Sequence, residues 1–393
     1  MSRPEVFVVG AARTPIGAFQ GALARVAAPM LGAAALRGAL ARSTLRAELV
    51  DATFMGNVLS AGLGQAPARQ AAIYAGLPES APATTIGKVC GSGLEAILQG
   101  VRSVLLGDAS VVLAGGMESM SNAPYLLTKA RSGYRMGHGE LIDAMIRDGL
   151  WDPYESLHMG AAGERSAGEF GVTRAAQDSF AESSYRRARR AQEEGAFKAE
   201  IEPVTVVASG GAQLVERDEE PSRADLAKMA SLPAVFVEGG TITAANSSKI
   251  SDGAAAVVLV SGELVKREGL TPLARVVSYA GHAQGKSDFA TAPVQATHKA
   301  LARAGLRISD IDLFEINEAF AAVTLICAQQ LGVPLERVNV RGGAVALGHP
   351  IGASGARIVT TMLYALRDLG LSRGVASICL GGGEALAVVL ERV

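Results

Sequence analysis

Three short motifs occur twice in this chain, in the same order. Phe54-x-x-Asn57 matches Phe314-x-x-Asn317, Cys90-Gly-Ser-Gly before a helical stretch matches Gly352-Ala-Ser-Gly355 before another, and Gly115-Gly116-Met117-Glu118 matches Gly381-Gly382-Gly383-Glu384. A duplication is a strong constraint. Both copies must fold alike, and a pseudo-twofold gathers equivalent loops at one end. The alternative is chance similarity between two Gly/Ala-rich segments.

Each copy alternates strand and helix patterns. The first has strands at Val6–Ala11, Asp51–Leu59 and Ser110–Gly115, with helices at Pro29–Ala41 and Ala66–Ala75 and after Cys90. The second has strands at Asp312–Asn317, Arg337–Val340, Ala376–Leu380 and Ala385–Glu391. Its helices are Ala292–Ala304, Glu318–Leu331 and Ala353–Leu369. This order predicts an α/β fold with parallel strands covered on both faces. In the second copy SICL and ALAVVLE are joined tightly around GGGEA, as in a hairpin. In the first, SVVLAGG and AAAVVLV stand about 130 residues apart. Residues 117–250, with charged helical runs such as YRRARRAQEEGAFKAE, therefore read as an insertion. The expected units are 1–116 plus 251–271, the insertion 117–250, and 272–393.

At 393 residues the chain is too long for one core. It is 49% hydrophobic and 19% charged, with net charge −1 and pI near 6.6. That balance gives no electrostatic footprint for nucleic acid or an anionic membrane. No apolar run is expected to approach the roughly 18 residues of a membrane helix. A strand pattern from Val6 leaves no room for a signal peptide. Three cysteines, Cys90, Cys327 and Cys379, make no disulfide framework and suit a reducing, cytoplasmic compartment. With no CxxC, HExxH or EF-hand spacing, no metal is expected.

Cys90 carries the sharpest chemical signal. A β-branched run ends at Val89, a Gly-rich turn follows, and from Leu94 the apolar residues fall at 94, 97, 98, 101, 104 and 105. Cys90 thus stands at a helix N-terminus, where free N–H groups and the dipole favour a thiolate. The plain alternative is a buried, inert cysteine. In the second copy, polar clusters lie at Glu315–Phe320, Gly348-His349-Pro350 and Cys379–Gly383. Taken singly, His349 is structural, Cys379 packs and Asn317 caps a helix. Under a pseudo-twofold they converge on Cys90.

Longer stretches sharpen this reading. AARTPIGAFQG (11–21), GNVLSAGLGQAPARQAA (56–72), KVCGSGLEA (88–96), GGMESMS (115–121), HMG (158–160), SSKISDGAAA (247–256), NEAFA (317–321), ALGHPIGASGAR (346–357) and CLGGGEA (379–385) together resemble the thiolase family over essentially the whole length. The resemblance implies duplicated βαβαβαββ halves in a five-layer α-β-α-β-α core, with an inserted loop domain for coenzyme A and oligomer contacts. It implies that Cys90 is the acylated nucleophile and that His349 activates it and helps bind the thioester oxygen. Cys379 would be the acid/base, and Asn317 would hold a water in one oxyanion hole. The N–H groups of Cys90 and Gly381 would form the other hole. Ser248, Arg223, His158, Phe236, Leu150, Ala244, Phe289, Ala319 and Phe320 fall at coenzyme A or acyl-pocket positions.

The implied reaction is that of the family's short-chain, biosynthetic branch. Two acetyl-CoA condense reversibly to acetoacetyl-CoA and CoA, with coenzyme A thioesters as substrates and no permanently bound cofactor. A homotetramer, a dimer of dimers, is implied, with neither nucleic acid nor membrane as partner. The alternatives are thiolysis of longer 3-ketoacyl-CoA and a non-catalytic acyl-CoA or lipid-binding protein of the same fold. A dinucleotide oxidoreductase fits poorly, because Gly348-x-x-x-Gly352-x-x-Gly355 has the wrong spacing. The chain also departs from the family pattern. Gly87 stands for a usual Asn, Lys249 for a common Gly, and Arg341 for a common Asn. Phe289-Ala-Thr-Ala-Pro293 replaces a Met-Gly-x-Gly-Pro loop, and Ser231-Leu-Pro-Ala234 replaces a basic stretch.

Overall fold

A computed structural model describes residues 4–208 and 211–393. Residues 1–3 of the first expected unit and 209–210 of the insertion lie outside the described residues. Nine strands stand side by side in one mixed sheet. In chain order they are β1 (Val6–Arg13), β2 (Ala52–Gly56), β3 (Ala83–Ile86), β4 (Val111–Ser119), β5 (Ser251–Ser261), β6 (Ala274–Ala283), β7 (Leu313–Ile316), β8 (Arg373–Leu380) and β9 (Glu384–Arg392). Their spatial order is β7-β8-β9-β6-β1-β5-β4-β2-β3, and the short Gly17–Ala18 strand adds to β5.

The duplication is written in this order. From the β1/β6 seam outwards, the first half runs first, fifth, fourth, second and third strand. The second half runs β6, β9, β8, β7 in the same sense. Its third strand, expected at Arg337–Val340, is reduced to one parallel bridge between Phe314 and Val338. A 3-10 turn over Leu335–Arg337 takes up the preceding residues.

The expectation of parallel strands holds only in part. β2 runs parallel to β3 and β4, and β7 to β8. The five central pairings are antiparallel, because β4 and β5, like β8 and β9, pair in hairpin sense across whatever chain lies between them.

Period-2 alternation builds the layers. On β5, Ala255, Val257 and Leu259 face one core while Ala254, Ala256, Val258 and Val260 face another. On β8, Ala376, Ile378 and Leu380 share the first of these cores, and Val375 and Cys379 point the other way. The shared core holds helices α3 (Ser92–Leu106) and α8 (Ser354–Asp368) between the two halves. One outer core is closed by α1 (Ala28–Ser43) and α2 (Pro67–Tyr74), the other by α6 (Ala292–Ala304) and α7 (Ala321–Leu331). Five layers result.

The central helices cross where both are bare of side chain. A Cβ on Gly93 would meet the Gly352 carbonyl oxygen at 2.9 Å, and one on Gly355 would run into the backbone of Leu94. The repeated Ser-Gly turns are therefore packing devices. They bring two helix N-termini, one after Cys90 and one after His349, into contact.

Two further expectations are corrected. Residues 89–106 do have the length and apolar composition of a membrane span, yet they turn at Cys90 and form the core helix α3. The helix expected from Glu318 starts only at Ala321. Residues 317–320 stay out of the helix because Asn246–Ser248 pair with them. Ser248 N–H donates to Ala319 O (3.1 Å) and Ala321 N–H to Asn246 O (2.9 Å).

Between β4 and β5 lie α4 (Met159–Glu169) and α5 (Arg174–Glu193). Phe180, Ala181 and Tyr185 of α5 pack on Val345, Ala346 and Leu347. This segment thereby roofs the end of the sheet where the polar loops gather.

Candidate active site

Cys90 occupies the turn between β3 and α3. Gly91 N–H closes it onto Lys88 O (3.0 Å), and the Ser92 hydroxyl donates to Val89 O (2.7 Å). Val89 sits at φ 45°, a costly left-handed conformation for a β-branched residue. The second donor to the site comes from the β8–β9 hairpin, whose turn needs Gly382 (φ 87°) and Gly383 (φ 77°). The backbone N–H groups of Cys90 and Gly381 lie near enough to the Cys90 sulfur to favour its anion. Lys88 Nζ binds Glu384 Oε2 at 2.5 Å and ties these two loops together.

His349 enters from the other half. Its Nδ1 lies 2.6 Å from Ser354 Oγ, and the Ser354 hydroxyl donates to Pro350 O (3.0 Å). The serine oxygen is then the acceptor, so Nδ1 carries the proton and Nε2 keeps its lone pair. Nε2 is buried without a protein partner. Ser354 was missed at the sequence level; its only signal is its place in the duplicated turn.

Cys379 is the last residue but one of β8, and Asn317, which follows β7, donates its N–H to Ser377 O (3.0 Å) on the same strand. The Asn317 Nδ2 and Oδ1 are both buried and find no protein partner. Glu118, the first-half counterpart of Glu384, also went unread. It accepts from Asn57 Nδ2 (2.6 Å) and from the N–H groups of Val58, Leu59 and Gly352 (2.9–3.1 Å). It pins the first half's loop to the turn that follows His349.

Burial governs the protonation states. It pushes the Cys90 thiol up to about 12, against the pull of the two N–H groups, and it drives His349 down to about 3. Cys379 is pushed well above its ordinary value, first by burial and then by neighbouring Cys90 and Cys327. The expectation of a resting Cys90 thiolate is thus corrected. The helix terminus does favour the anion, but desolvation outweighs it. The resting pair is a thiol and a neutral imidazole, an arrangement for general-base activation.

A cleft of about 370 Å³ leads to these groups, lined by Leu150, His158, Phe236, Ala244, Ser248, Lys249, Phe320 and His349 among others. Cys90 packs against the buried cluster of Leu59, Met120, Met145 and Ile351, of which Met120 and Ile351 also line the cleft. His158 stacks on Phe236 (4.8 Å), and Phe236 meets Phe320 edge-on (5.9 Å). Three expected contacts lie elsewhere. Phe289 is buried behind Phe320 at 6.4 Å rather than on the wall. Ala319 is buried and contributes only its carbonyl, to Ser248. Arg223 is exposed and paired with Glu219 (3.1 Å).

A five-layer α/β core built from duplicated halves, with Cys90, Cys379, His349 and Asn317 in loops or strand ends of the two halves, defines a class, and comparison with known proteins agrees. Residues 6–263 match the family described as "Thiolase, N-terminal domain", and residues 270–392 match "Thiolase, C-terminal domain". The chain belongs to the thiolase family. It is 48% identical over 395 residues to an acetyl-CoA acetyltransferase of Schizosaccharomyces pombe, covering 100% of both chains. It is 48% identical to those of Cupriavidus necator (99% of each chain) and Escherichia coli (98% of each).

Proposed function

We propose that the chain is an acyltransferase that condenses two acetyl-CoA reversibly to acetoacetyl-CoA and CoA through an acyl-Cys90 intermediate. The observation that carries this is a half-buried thiol at a helix N-terminus, packed on residues that line a cleft which also holds an imidazole with a free Nε2. His349 Nε2 takes the Cys90 proton as sulfur attacks the thioester carbonyl. The resulting oxyanion meets a donor pair, and one such donor is worth about 3–4 kcal/mol. Cys379 gives its proton to the departing CoA sulfur and is left as a thiolate.

A thiolate generated in such a buried site is a strong base, matched to the weakly acidic α-carbon of the second acetyl-CoA. Cys379 takes that proton. The enolate oxygen is stabilised by the protonated His349 and by a water on the Asn317 amide, whose two unpartnered polar atoms suit that role. The carbanion attacks acyl-Cys90, a carbon–carbon bond forms and the Cys90–acyl bond breaks. His349 returns its proton to the released Cys90 sulfur, Cys379 keeps the proton taken from the α-carbon, and the cycle closes without a resident cofactor.

The names of the relatives and the bulky Phe236–Phe320 pair on the cleft wall support a short acyl chain. One methylene of pocket space discriminates by about 1–3 kcal/mol. Thiolysis assays across four-, six- and eight-carbon 3-ketoacyl-CoA test this. The highest kcat/KM is expected for four carbons, and a preference for eight would overturn the short-chain reading in favour of a degradative one.

The same reading takes the working form to be a cytoplasmic homotetramer. Exposed Tyr125, Leu127, Met136 and Leu141 on the segment after β4 support an interface there.

A further inference from the structure

Lys249 stands where a thiolase commonly has glycine, and its side chain is used. Nζ donates to the carbonyls of Ala244 (2.6 Å), Ser247 (2.8 Å) and Val345 (3.4 Å), so all three ammonium protons have an acceptor. Its own carbonyl accepts from His349 N–H (2.9 Å) and from the Ser251 hydroxyl (2.9 Å). One residue therefore joins the cleft wall at 244–248, the helical turn Ala344–Leu347 and the backbone of His349. Around the ammonium lie the Tyr185 ring of α5 (5.6 Å) and the carboxyls of Glu220 and Glu318, and His349 lines the same cleft.

We propose that Lys249 is a positioning residue for acyl-CoA binding, its ammonium fastening the Ala244–Ser248 wall to the turn that carries His349. The proposal rests on the cleft being the coenzyme A thioester site. A neutral amine has only two N–H groups, so losing the proton leaves one of the three carbonyls facing a lone pair. Burial lowers Lys249 from its ordinary range to about 8, against the opposing pull of Glu220 and Glu318. The clamp is therefore whole at pH 7 and weakens as pH rises through 8.

The test is acylation of Cys90 by acetyl-CoA, followed by rapid quenching and intact-protein mass spectrometry between pH 7.0 and 9.5. Acetyl-CoA carries no free thiol to titrate in this window. In the wild type, the half-saturating acetyl-CoA concentration should rise about threefold or more above pH 8. In Lys249→Met it should be raised about fivefold or more at pH 7 and be flat with pH, with the saturating rate changed much less. A wild-type pH profile and affinity in Lys249→Met would overturn the proposal, as would a loss confined to the saturating rate. Should the variant not fold, the wild-type profile decides alone, and a flat one overturns the proposal. Wild type that does not acylate Cys90 at any pH refutes the reading of the site itself, a result distinct from these.

Discussion

His349 shows what residue identity can and cannot carry. Its position before a Gly-rich helix turn is legible in the sequence, as are Cys90, Cys379 and Asn317 in their loops. Their protonation states are not, because desolvation depends on what the other half packs over them. The neutral His349 has a consequence for stability. Its folded pKa of about 3 lies below the ordinary value of 6.5, so between those values the unfolded chain binds more protons and stability falls as pH falls. By pH 4.5 this single group costs about 3 kcal/mol. Buried Glu118 and Glu315, raised to about 7 and about 8, slope the opposite way. Urea unfolding of wild type and His349→Asn at pH 6.5 and 4.5 isolates the histidine. The variant should lose less stability on acidification, and equal losses would contradict a neutral buried imidazole.

At the scale of elements, apolar periodicity places α3 and α8 within a residue or two, and the duplicated turns mark their starts. The βαβ pattern predicted parallel strands, which holds for the outer pairings, and the duplication pointed to the β8–β9 hairpin and its interrupted β4–β5 counterpart, but nothing local signalled the antiparallel pairings of β1 with β5 and β6 and of β6 with β9. The helix at 318–331 was extended too far. Its first residues have helical character locally, but their backbone groups are taken by Asn246–Ser248, which are some 70 residues away in sequence. The crossing of α3 and α8 is the element on which both active-site halves depend. Gly355→Ala would press a methyl group into Leu94, an overpacking that costs about 1–3 kcal/mol. It should lower the urea midpoint and the acylation rate together. Unchanged stability would mean that the crossing tolerates a wider separation than the structure shows.

For the whole molecule, the sequence conveyed the duplication, and the sheet order bears the mark of it: the same sequence of strands runs outwards from the β1/β6 seam on both sides. What it did not convey is how the charged segment between β4 and β5 folds back over the loop end to wall the cleft, since the contacts that fix it there, such as α5 on Val345–Leu347, are distant in sequence. That segment also presents the apolar side chains assigned to assembly. Light scattering on the purified chain should give four times the 40.3 kDa chain mass, and a monomer would contradict that assignment.

The central claim is that this arrangement makes Cys90 the acyl carrier and leaves Cys379 to move protons. Mixing the protein with acetyl-CoA alone, quenching in acid and mapping peptides by mass spectrometry tests it most directly. One acetyl group per chain is predicted, on the peptide containing Cys90, and none in Cys90→Ala. Acetyl on Cys379 with Cys90 free would contradict the account.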